Sequence, residues 1–244
     1  MFFDISIEFD KSLIDKTILE SILLKTKGYV CVVDGNVLAN THVNSVYKGI
    51  INGALVNLCD GSSIAMLAGL IHHKRFETYT GPEIFSKLTK APFRQYFIGN
   101  TEENLNFLKT MFAESGYNID LFKFESLPFR NVEEFDYPAI AMNINKFSPD
   151  IIWVSLGAPK QEIFISKLYP FIDRGISIAI GAAFTLFFGN EQNKRAHERL
   201  KRMHLLWIIR LIQEPRKVGK RAFNYLILLP RLVLDEIKRT KNIK

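Results

Sequence analysis

The chain has 244 residues, 48% of them apolar and 12% aromatic, which is enough to bury a core and excludes an intrinsically disordered protein. Its net charge of +7 is unevenly placed, because residues 195–244 carry 14 Lys and Arg against 4 Asp and Glu, whereas residues 1–194 carry 18 against 21. No run reaches the ~18 uncharged apolar residues of a membrane-spanning helix, and acidic residues interrupt the start, where a signal peptide would be apolar. We therefore expect a cytosolic protein with a globular body and a basic C-terminal part.

Apolar periodicity predicts alternating strands and helices over the first 190 residues. In chain order, it predicts a half-buried strand over 1–10, a helix over 11–27, a strand over 29–33, a helix ending at Tyr47, a strand over 54–58 and a helix over 62–70. There follow a strand over 96–99, a helix over 102–115, a strand over 118–122, a helix over 136–147, a strand over 151–156, a helix over 161–169 and a strand over 176–180. This order is typical of an α/β protein, with a Rossmann-like parallel sheet covered by helices.

The composition changes near Asn190, which we take as the boundary between an α/β domain over 1–190 and a basic amphipathic helical appendage over 191–244. In the appendage, apolar residues 205–209 and 223–234 are interleaved with Lys and Arg at helical spacing, as in helices that lie on anionic membranes. The alternatives are binding of nucleic acid, an oligomer interface, and packing of the helices on their own body. The apolar stripe favours lipid or protein contact over nucleic acid.

Several common kinds of site are not indicated by the sequence. Cys31 and Cys59 lie in apolar runs and are predicted to be buried free thiols rather than a disulfide. The five histidines show no zinc-site spacing, and neither a Walker A loop nor a GxGxxG motif occurs. No arrangement of Ser, His and Asp argues for a catalytic triad.

Four predicted strands end in glycine-containing turns that lead into helices. The turns are Asp34-Gly35, Asp60-Gly61, the segment 157–162 and the segment 181–183. Because parallel sheets bind ligands outside the carboxyl ends of their strands, these turns mark the predicted site. Backbone N–H groups at such helix starts can hold a phosphate, although most glycine turns only connect elements.

Two of these turns carry side chains with a chemical interpretation and a structural one. Asp60 directly follows an apolar strand, so it can act as a general base at the mouth of the sheet or simply cap the next helix. Gln161 can hydrogen-bond a sugar or a phosphate, and Glu162 in the first helical turn is also ordinary complementation of the helix dipole. The spacing alone leaves both pairs of alternatives open.

The segment Gly157-Ala158-Pro159-Lys160-Gln161-Glu162 resembles the G-x-P-K-Q-E signature of the bacterial WecG/TagA/CpsF glycosyltransferases. The similarity extends over most of the chain and includes several further motifs in the family's order. These are Asp60-Gly61, Thr80-Gly81, Gly181-Ala182-Ala183-Phe184 with Gly189, Arg195-Ala196, and Trp207-Ile208-Ile209-Arg210-Leu211 with Glu214-Pro215-Arg216.

The resemblance implies an inverting, metal-independent hexosyltransferase that needs no cofactor besides its UDP-sugar donor. In that family the acceptor is a polyprenyl-diphosphate-linked sugar on the inner face of the cytoplasmic membrane, and the products are cell-surface polysaccharides such as teichoic acid, capsule, exopolysaccharide or enterobacterial antigen. It further implies that Asp60 is the catalytic base, that Gln161 is an active-site residue, and that the C-terminal segment completes the site and contacts the anionic membrane. Nucleic acid is not an expected partner, and oligomerisation is left open.

The same resemblance suggests which residues bind the two substrates. Arg195, Arg210 and Arg216 would neutralise the leaving UDP, while the glycine turns would hold its diphosphate. The full predicted binding set is Asp34, Asn36, Gly61, Thr80, Gly81, Gly157, Pro159, Lys160, Glu162, Gly181, Ala182, Arg195, Arg210 and Arg216. The chain differs from the family pattern at Asp34, Thr78, Thr185, His197 and Leu206, so the resemblance favours the reaction class over one donor, with an N-acetylmannosamine-type or a glucose-type hexose expected.

Overall fold

The structure is a computed structural model that describes residues 1–181, Phe184 and residues 215–242, with no side chains described for 215–218, 220–222 and 242. Its centre is a six-stranded sheet with the strand order β2-β1-β6-β5-β3-β4, in which all paired strands are parallel. The strands are β1 Lys27–Val33, β2 Val56–Cys59, β3 Gln95–Gly99, β4 Phe122–Glu125, β5 Ile151–Ser155 and β6 Gly175–Ala179. The predicted α/β class and parallel sheet are confirmed.

Helices cover both faces of this sheet, and polar side chains begin several of them. The helices are α1 Lys11–Leu23, α2 Gly35–Val43, α3 Ser45–Asn52, α4 Ser62–His72, α5 Gly81–Leu88, α6 Glu102–Glu114, α7 Tyr137–Phe147, α8 Lys160–Leu168 and α9 Pro215–Asn242, with 3-10 turns at Ile119–Leu121, Val132–Glu134 and Tyr169–Phe171. Asp10 caps α1 by accepting from the N–H groups of Ser12 and Leu13, and Thr80 caps α5 in a reciprocal pair with Glu83.

The core is split into two layers by the sheet, because alternate residues of each buried strand point to opposite faces. One layer contains Phe85, Phe97 and Trp153, and the ring centroids of Phe85 and Trp153 lie 4.9 Å apart. The other layer contains Cys31 and Cys59, which are buried free thiols as predicted. Phe184 is buried in the first layer, 5.6 Å from Phe85 between ring centroids.

The predicted strand over 1–10 is wrong, although its alternation is real. Phe3, Ile5, Ile7 and Phe9 are all buried, but the segment makes only isolated bridges, one of them between Glu8 and Leu58. Phe3 and its neighbour Asp4 have φ values of 50° and 64°, and two successive residues in this left-handed region turn the chain instead of extending it.

Other differences from the sequence prediction are local. The helix expected to end at Tyr47 is two helices, because Asn44 takes an extended conformation between α2 and α3 and caps α3 through the N–H of Tyr47. The strand predicted over 118–122 is a 3-10 turn followed by β4, which pairs with β3 from Phe122 onward. The short helix α5 was not predicted.

One face of the C-terminal helix α9 packs on the body, against α2 and α4. Tyr225, Leu232 and Glu236 are buried there, and the Glu236 carboxylate accepts the N–H of Phe3 at 2.8 Å and lies 2.9 Å from Nε2 of His72. On another face of α9, Phe223, Leu226, Ile227 and Leu234 are 57–64% exposed. The boundary predicted near Asn190 lies outside the described residues.

Among the helices that the structure describes, none is both long enough and apolar enough to cross a bilayer.

Candidate functional site

The turns Asp34-Gly35 and Asp60-Gly61, predicted at the carboxyl edge of the sheet, are direct neighbours. Strands β1 and β2 are in register at Val33 and Cys59, so Asp34 and Asp60 leave adjacent strands side by side. A Cβ atom placed on Gly61 would lie 3.6 Å from the Cα of Asp34, so the Asp60-Gly61 turn rests on the start of α2. The N–H groups of Asp60 and Gly61 both donate to the carbonyl of Val33, which fixes this turn.

Asp34 and Asn36 have local structural roles. The Asp34 carboxylate caps α2 by accepting the N–H of Val37 at 2.9 Å. The carbonyl and side-chain oxygens of Asn36 accept from Nδ2 of Asn40 at 2.7 and 3.3 Å. Both residues are half-buried at the carboxyl edge, where they were predicted to bind substrate.

Asp60 lies one residue before the cap of α4, and it is partly exposed. The capping position itself is Gly61, which has no side chain with which to cap the helix. The start of α4 therefore offers backbone N–H groups and partial positive charge beside a carboxylate at the end of β2. This geometry suits a base that has to meet a polar substrate.

The segment from Tyr79 to Gly81 crosses the carboxyl ends of the neighbouring strands. The N–H of Tyr79 donates to the carbonyl of Cys59, and a Cβ atom on Gly81 would lie 3.8 Å from the carbonyl oxygen of Ile180. The hydroxyl of Thr80 is occupied by the capping interaction with Glu83. Thr80 and Gly81 thus lie at the predicted edge, between β2 and β6.

The side chain of Gln161 ties two of the glycine turns together. Its Oε1 accepts the N–H of Gly157 at 3.1 Å and the N–H of Gly181 at 2.9 Å, and its Nε2 donates to Glu162 at 2.8 Å. These glycine N–H groups were predicted to bind the donor diphosphate. In the structure both are already bonded to Gln161, so a diphosphate at this edge would need other donors.

Glu162 lies beneath the site rather than in it. It is completely buried, and its carboxylate accepts from the Tyr47 hydroxyl at 3.0 Å as well as from Gln161. Burial is the main cause that raises the pKa of Glu162 to about 7. Glu162 was predicted to contact substrate, and in this conformation its side chain has no exposed surface.

Lys160 and Pro159 begin α8 at the same turn. Pro159 occupies the capping position and offers no side-chain cap. The Lys160 ammonium donates to the carbonyl of Arg130 and lies 5.3 Å from the ring centroids of Phe129 and Phe135. Lys160 is thus directed toward the loop before α7.

Several predicted site residues cannot be placed. Ala182, Arg195 and Arg210 lie outside the described residues, as do Leu205, Trp207 and Ile208, which were expected at the membrane. Arg216 belongs to the first turn of α9, but its side chain is not described.

The structure adds residues that the sequence did not mark. The Ser155 hydroxyl donates to the carbonyl of Gly181 at 2.6 Å and accepts from Nδ2 of Asn100 at 3.3 Å. Tyr225 of α9 reaches the edge as well, with its hydroxyl 3.1 Å from Oγ of Ser63. The contact between Ser63 and Tyr225 could not be predicted from the sequence, because the two residues are 162 positions apart.

A cavity of about 320 Å³ lies at the opposite, amino-terminal end of the sheet, lined partly by Lys27, Tyr29 and Tyr169. The Lys27 ammonium there donates to the carbonyls of Tyr169 and Ile172. This cavity is separate from the edge that carries Asp60 and Gln161.

Residues 5–242 match the model of the glycosyl transferase WecG/TagA/CpsF family, which is nearly the whole chain. The chain belongs to this family. It is therefore a glycosyltransferase, and the resemblance seen in the signature at 157–162 is confirmed.

Three proteins similar to this glycosyltransferase carry the same name. Proteins called N-acetylglucosaminyldiphosphoundecaprenol N-acetyl-β-D-mannosaminyltransferase from Bacillus subtilis strain 168 and Bacillus spizizenii are 25% and 26% identical to it, each over 81% of this chain and 74% of the relative. A protein of the same name from Staphylococcus aureus strain MW2 is 22% identical over 75% of this chain and 70% of the relative.

The family signature gains a physical meaning from the structure of this glycosyltransferase. Its glycine and glutamine, Gly157 and Gln161, bond to each other across the β5–α8 turn, and its glutamate is the buried partner of that glutamine. Within the described part of the chain, no cluster of three or more His, Cys, Asp or Glu residues is placed to hold a metal ion. The expectation of a metal-independent reaction stays a prediction.

Proposed function

We propose that this glycosyltransferase moves a hexose from a UDP-sugar to a polyprenyl-diphosphate-linked sugar, with inversion at the anomeric carbon and without a metal. Family membership and the shared name of the relatives support the substrates. The observation that carries the proposal is the position of Asp60, directly after β2, beside Asp34, and one residue before the N-cap of α4.

Asp60 is the general base in this proposal. Its carboxylate takes the proton from a hydroxyl of the acceptor sugar while that oxygen forms a bond to the anomeric carbon of the donor. The bond from the anomeric carbon to the UDP oxygen breaks on the opposite face, and the electron pair leaves with UDP. A single displacement of this kind inverts the anomeric centre.

The distance along the sheet edge suits a sugar between the base and the Gln161 network. Asp60 follows β2, and Gly181, which Gln161 holds, follows β6, with β1 between them. Two strand spacings amount to about 10 Å, which is enough for one hexose ring with its substituents.

Charge on the departing UDP has to be neutralised, and Arg195, Arg210 and Arg216 remain the proposed groups. A guanidinium binds phosphate oxygens through two parallel N–H donors. Its positive charge neutralises the diphosphate, which is the role that a divalent cation plays in other transferases. Because the N–H groups of Gly157 and Gly181 are bonded to Gln161, these arginines would provide more of the diphosphate binding.

The donor we favour is UDP-N-acetylmannosamine, and the acceptor an N-acetylglucosamine linked through diphosphate to undecaprenol. The names of the relatives support both choices, and identities near 25% leave room for another hexose. Because the acceptor carries a lipid, we also place the enzyme on the inner face of the cytoplasmic membrane. The exposed apolar face of α9, with Arg231 and Lys238 beside it, supports that location.

A UDP-release assay tests the proposal. Purified enzyme is given a panel of UDP-hexoses and a short-chain polyprenyl-diphosphate-N-acetylglucosamine, with and without EDTA. We expect turnover with UDP-N-acetylmannosamine that is insensitive to EDTA and lost in Asp60→Asn. Asp120→Asn, the same chemical change at an exposed residue of a 3-10 turn, is the matched control and should keep full activity.

Either of two results would contradict the proposal. Undiminished turnover in Asp60→Asn would show that Asp60 is not the base. Turnover that EDTA abolishes and Mg²⁺ restores would show that a metal ion, and not the arginines, neutralises the leaving UDP. If no donor is turned over, binding of each UDP-hexose measured by calorimetry shows whether the donor site exists at all.

A further inference from the structure

We propose that Tyr47 and Glu162 are positioning residues of the transfer reaction, which lock the side-chain amide of Gln161 in one orientation and thereby fix the chain where it leaves β6. The inference rests on the proposed function, since it assigns these residues a part in the same active site. It differs from the sequence prediction, in which Glu162 contacted substrate.

The side-chain amide of Gln161 has a defined orientation. Its Oε1 accepts two backbone N–H groups, from Gly157 at 3.1 Å and from Gly181 at 2.9 Å. Only the oxygen of an amide can do this, because the nitrogen is a donor. Rotating the amide by half a turn would place its NH₂ group against both N–H donors and lose both bonds.

Glu162 enforces this orientation of Gln161. Nε2 of Gln161 donates to Oε1 of Glu162 at 2.8 Å, and Oε2 of Glu162 accepts the Tyr47 hydroxyl at 3.0 Å. Gln161, Glu162 and Tyr47 are 4%, 0% and 1% exposed, so water does not replace these partners. Whether Glu162 is ionised or neutral, its Oε1 can accept from Gln161, because a proton can reside on Oε2, and this leaves Gln161 one way to satisfy its own NH₂ group.

The amide of Gln161 in turn holds Gly181, in the segment that follows β6. The peptide groups at Gly181 are held from two sides, with the N–H bonded to Gln161 and the carbonyl accepting Oγ of Ser155 at 2.6 Å. Gly181 has a φ of +54°, in the left-handed region, so the path of the chain turns at this residue. Gly181 follows β6 at the carboxyl edge of the sheet, the edge that also carries Asp60, the proposed base.

Tyr47 and Glu162 act only through Gln161 and Gly181, which is why we call them positioning residues. They lie on α3 and α8, two elements packed side by side, and neither side chain has appreciable exposed surface through which to bind substrate. Among the described residues, no Lys or Arg bonds to the Glu162 carboxylate, so its hydrogen bonds from Tyr47 and Gln161 define its environment.

Three variants separate positioning from plain stability. Glu162→Met keeps the volume and removes the acceptor, Glu162→Gln keeps a carbonyl oxygen that can still accept from Gln161, and Tyr47→Phe removes one donor to the carboxylate. We expect Glu162→Met to lower kcat about 10- to 100-fold with the donor KM changed less than about threefold, since two buried donors, Nε2 of Gln161 and the Tyr47 hydroxyl, are left unpaired. Glu162→Gln should recover most of kcat, and Tyr47→Phe should lie between them.

Tyr96→Phe is the matched control, because Tyr96 is 1% exposed and its hydroxyl also donates to a glutamate, Glu125, away from the predicted site. We expect its kcat to equal that of the wild type. A loss of kcat in Glu162→Met no larger than in Tyr96→Phe overturns the proposal. Equal loss in Glu162→Gln and Glu162→Met overturns it as well, since a positioning acceptor is retained in the former.

A second measurement does not depend on turnover. Amide hydrogen exchange resolved by NMR should show faster exchange of the Gly157 and Gly181 N–H groups in Glu162→Met, near-normal exchange in Glu162→Gln, and unchanged exchange on β3 in both. Unchanged exchange at the two glycines overturns the proposal. If the wild type releases UDP from no donor, the proposed function fails, and the exchange data still decide whether Glu162 orients Gln161.

Discussion

The ring of Tyr225 packs directly on Gly35, and this contact joins the C-terminal helix to the carboxyl edge of the sheet. A Cβ atom placed on Gly35 would lie 3.0 Å from Cδ1 of Tyr225, closer than side chains normally approach. Gly35 is the first residue of α2, directly after Asp34, and the Tyr225 hydroxyl lies 3.1 Å from Oγ of Ser63 in the first turn of α4. Helix α9 therefore sits at the edge that carries the proposed base.

Gly35→Ala should weaken the docking of α9. The new methyl group has to displace the Tyr225 ring, and overpacking of this kind typically costs about 1–3 kcal/mol of the free energy of unfolding. Urea unfolding followed by circular dichroism measures the change. Gly49→Ala is the control, because Gly49 lies in helix α3 with no atom within 4 Å of its added Cβ, and we expect it to stabilise by about 0.5–1 kcal/mol. A neutral or stabilising Gly35→Ala would show that Tyr225 does not hold α9.

Glu236 is the second anchor of α9, and Glu236→Ala should release the C-terminal end of this helix. The Glu236 side chain is 1% exposed and bonds both the N–H of Phe3 and the ring of His72, so its removal leaves two partners without their acceptor. Each such buried group costs about 1–3 kcal/mol. Limited proteolysis should then cut within 215–242 at lower protease concentration, at sites read by mass spectrometry.

The neighbouring acidic residue provides the control for that prediction. Asp235 is 47% exposed at its side chain and pairs with Arg231 at 3.7 Å on the surface of α9. Exposed pairs of this kind contribute about 0–1 kcal/mol, so Asp235→Ala should leave the cleavage pattern of the wild type. Equal protease sensitivity of the two variants would argue against the Glu236 anchor.

Glu162 should make the enzyme less stable as the pH rises through neutrality. Burial raises its pKa from 4.5 to about 7, so the folded protein binds a proton that the unfolded chain has lost. The stability from the neutral carboxyl is fully present below about pH 4.5 and lost as pH rises through about 7. At ~1.4 kcal/mol per pKa unit the total is on the order of 3 kcal/mol.

Urea unfolding at pH 5 and pH 8 measures this effect. The free energy of unfolding of the wild type should fall between the two pH values more than that of Glu162→Gln, which cannot ionise. Glu20→Gln is the control, since Glu20 is 59% exposed at its side chain on α1, and its pH dependence should match the wild type. Equal pH dependence in the wild type and Glu162→Gln would mean that Glu162 ionises normally in the folded protein.

The fold, and the position of Asp60 and Gln161 at the carboxyl edge of the sheet, could be predicted because they depend on local patterns. Short apolar runs alternating with helical spacing gave the parallel sheet, and the turns after its strands placed Asp60 and Gln161 at one edge. The segment 1–10 failed because its alternation records burial, whereas the backbone turns at Phe3 and Asp4. Period alone does not distinguish an extended strand from an irregular segment that buries every second side chain.

Orientation within the site could not be predicted, because it depends on contacts between distant parts of the chain. Glu162 in the first turn of α8 had a sufficient local explanation as a partner of the helix dipole, and nothing near it pointed to Tyr47, 115 residues earlier. In the same way, Gln161 was expected to face substrate, while its oxygen in fact closes two glycine turns. The tertiary structure decides which of two plausible hydrogen-bonding roles a polar side chain takes.

Membrane attachment through α9 should depend on its exposed apolar face. Leu226 and Ile227 are 60% and 61% exposed, and basic residues on the same helix, among them Arg231 and Lys238, would add about 1 kcal/mol each near an anionic surface. The double variant Leu226→Ser/Ile227→Ser should therefore bind anionic phospholipid vesicles at least about tenfold more weakly in a flotation assay, and raising the salt concentration should weaken the wild type as well. Leu23→Ser/Leu24→Ser is the matched control, because these adjacent leucines are 75% and 74% exposed at the end of α1. If both double variants float like the wild type, α9 does not carry the attachment, and if both lose it equally, any exposed apolar pair serves and the specific surface proposed here is wrong.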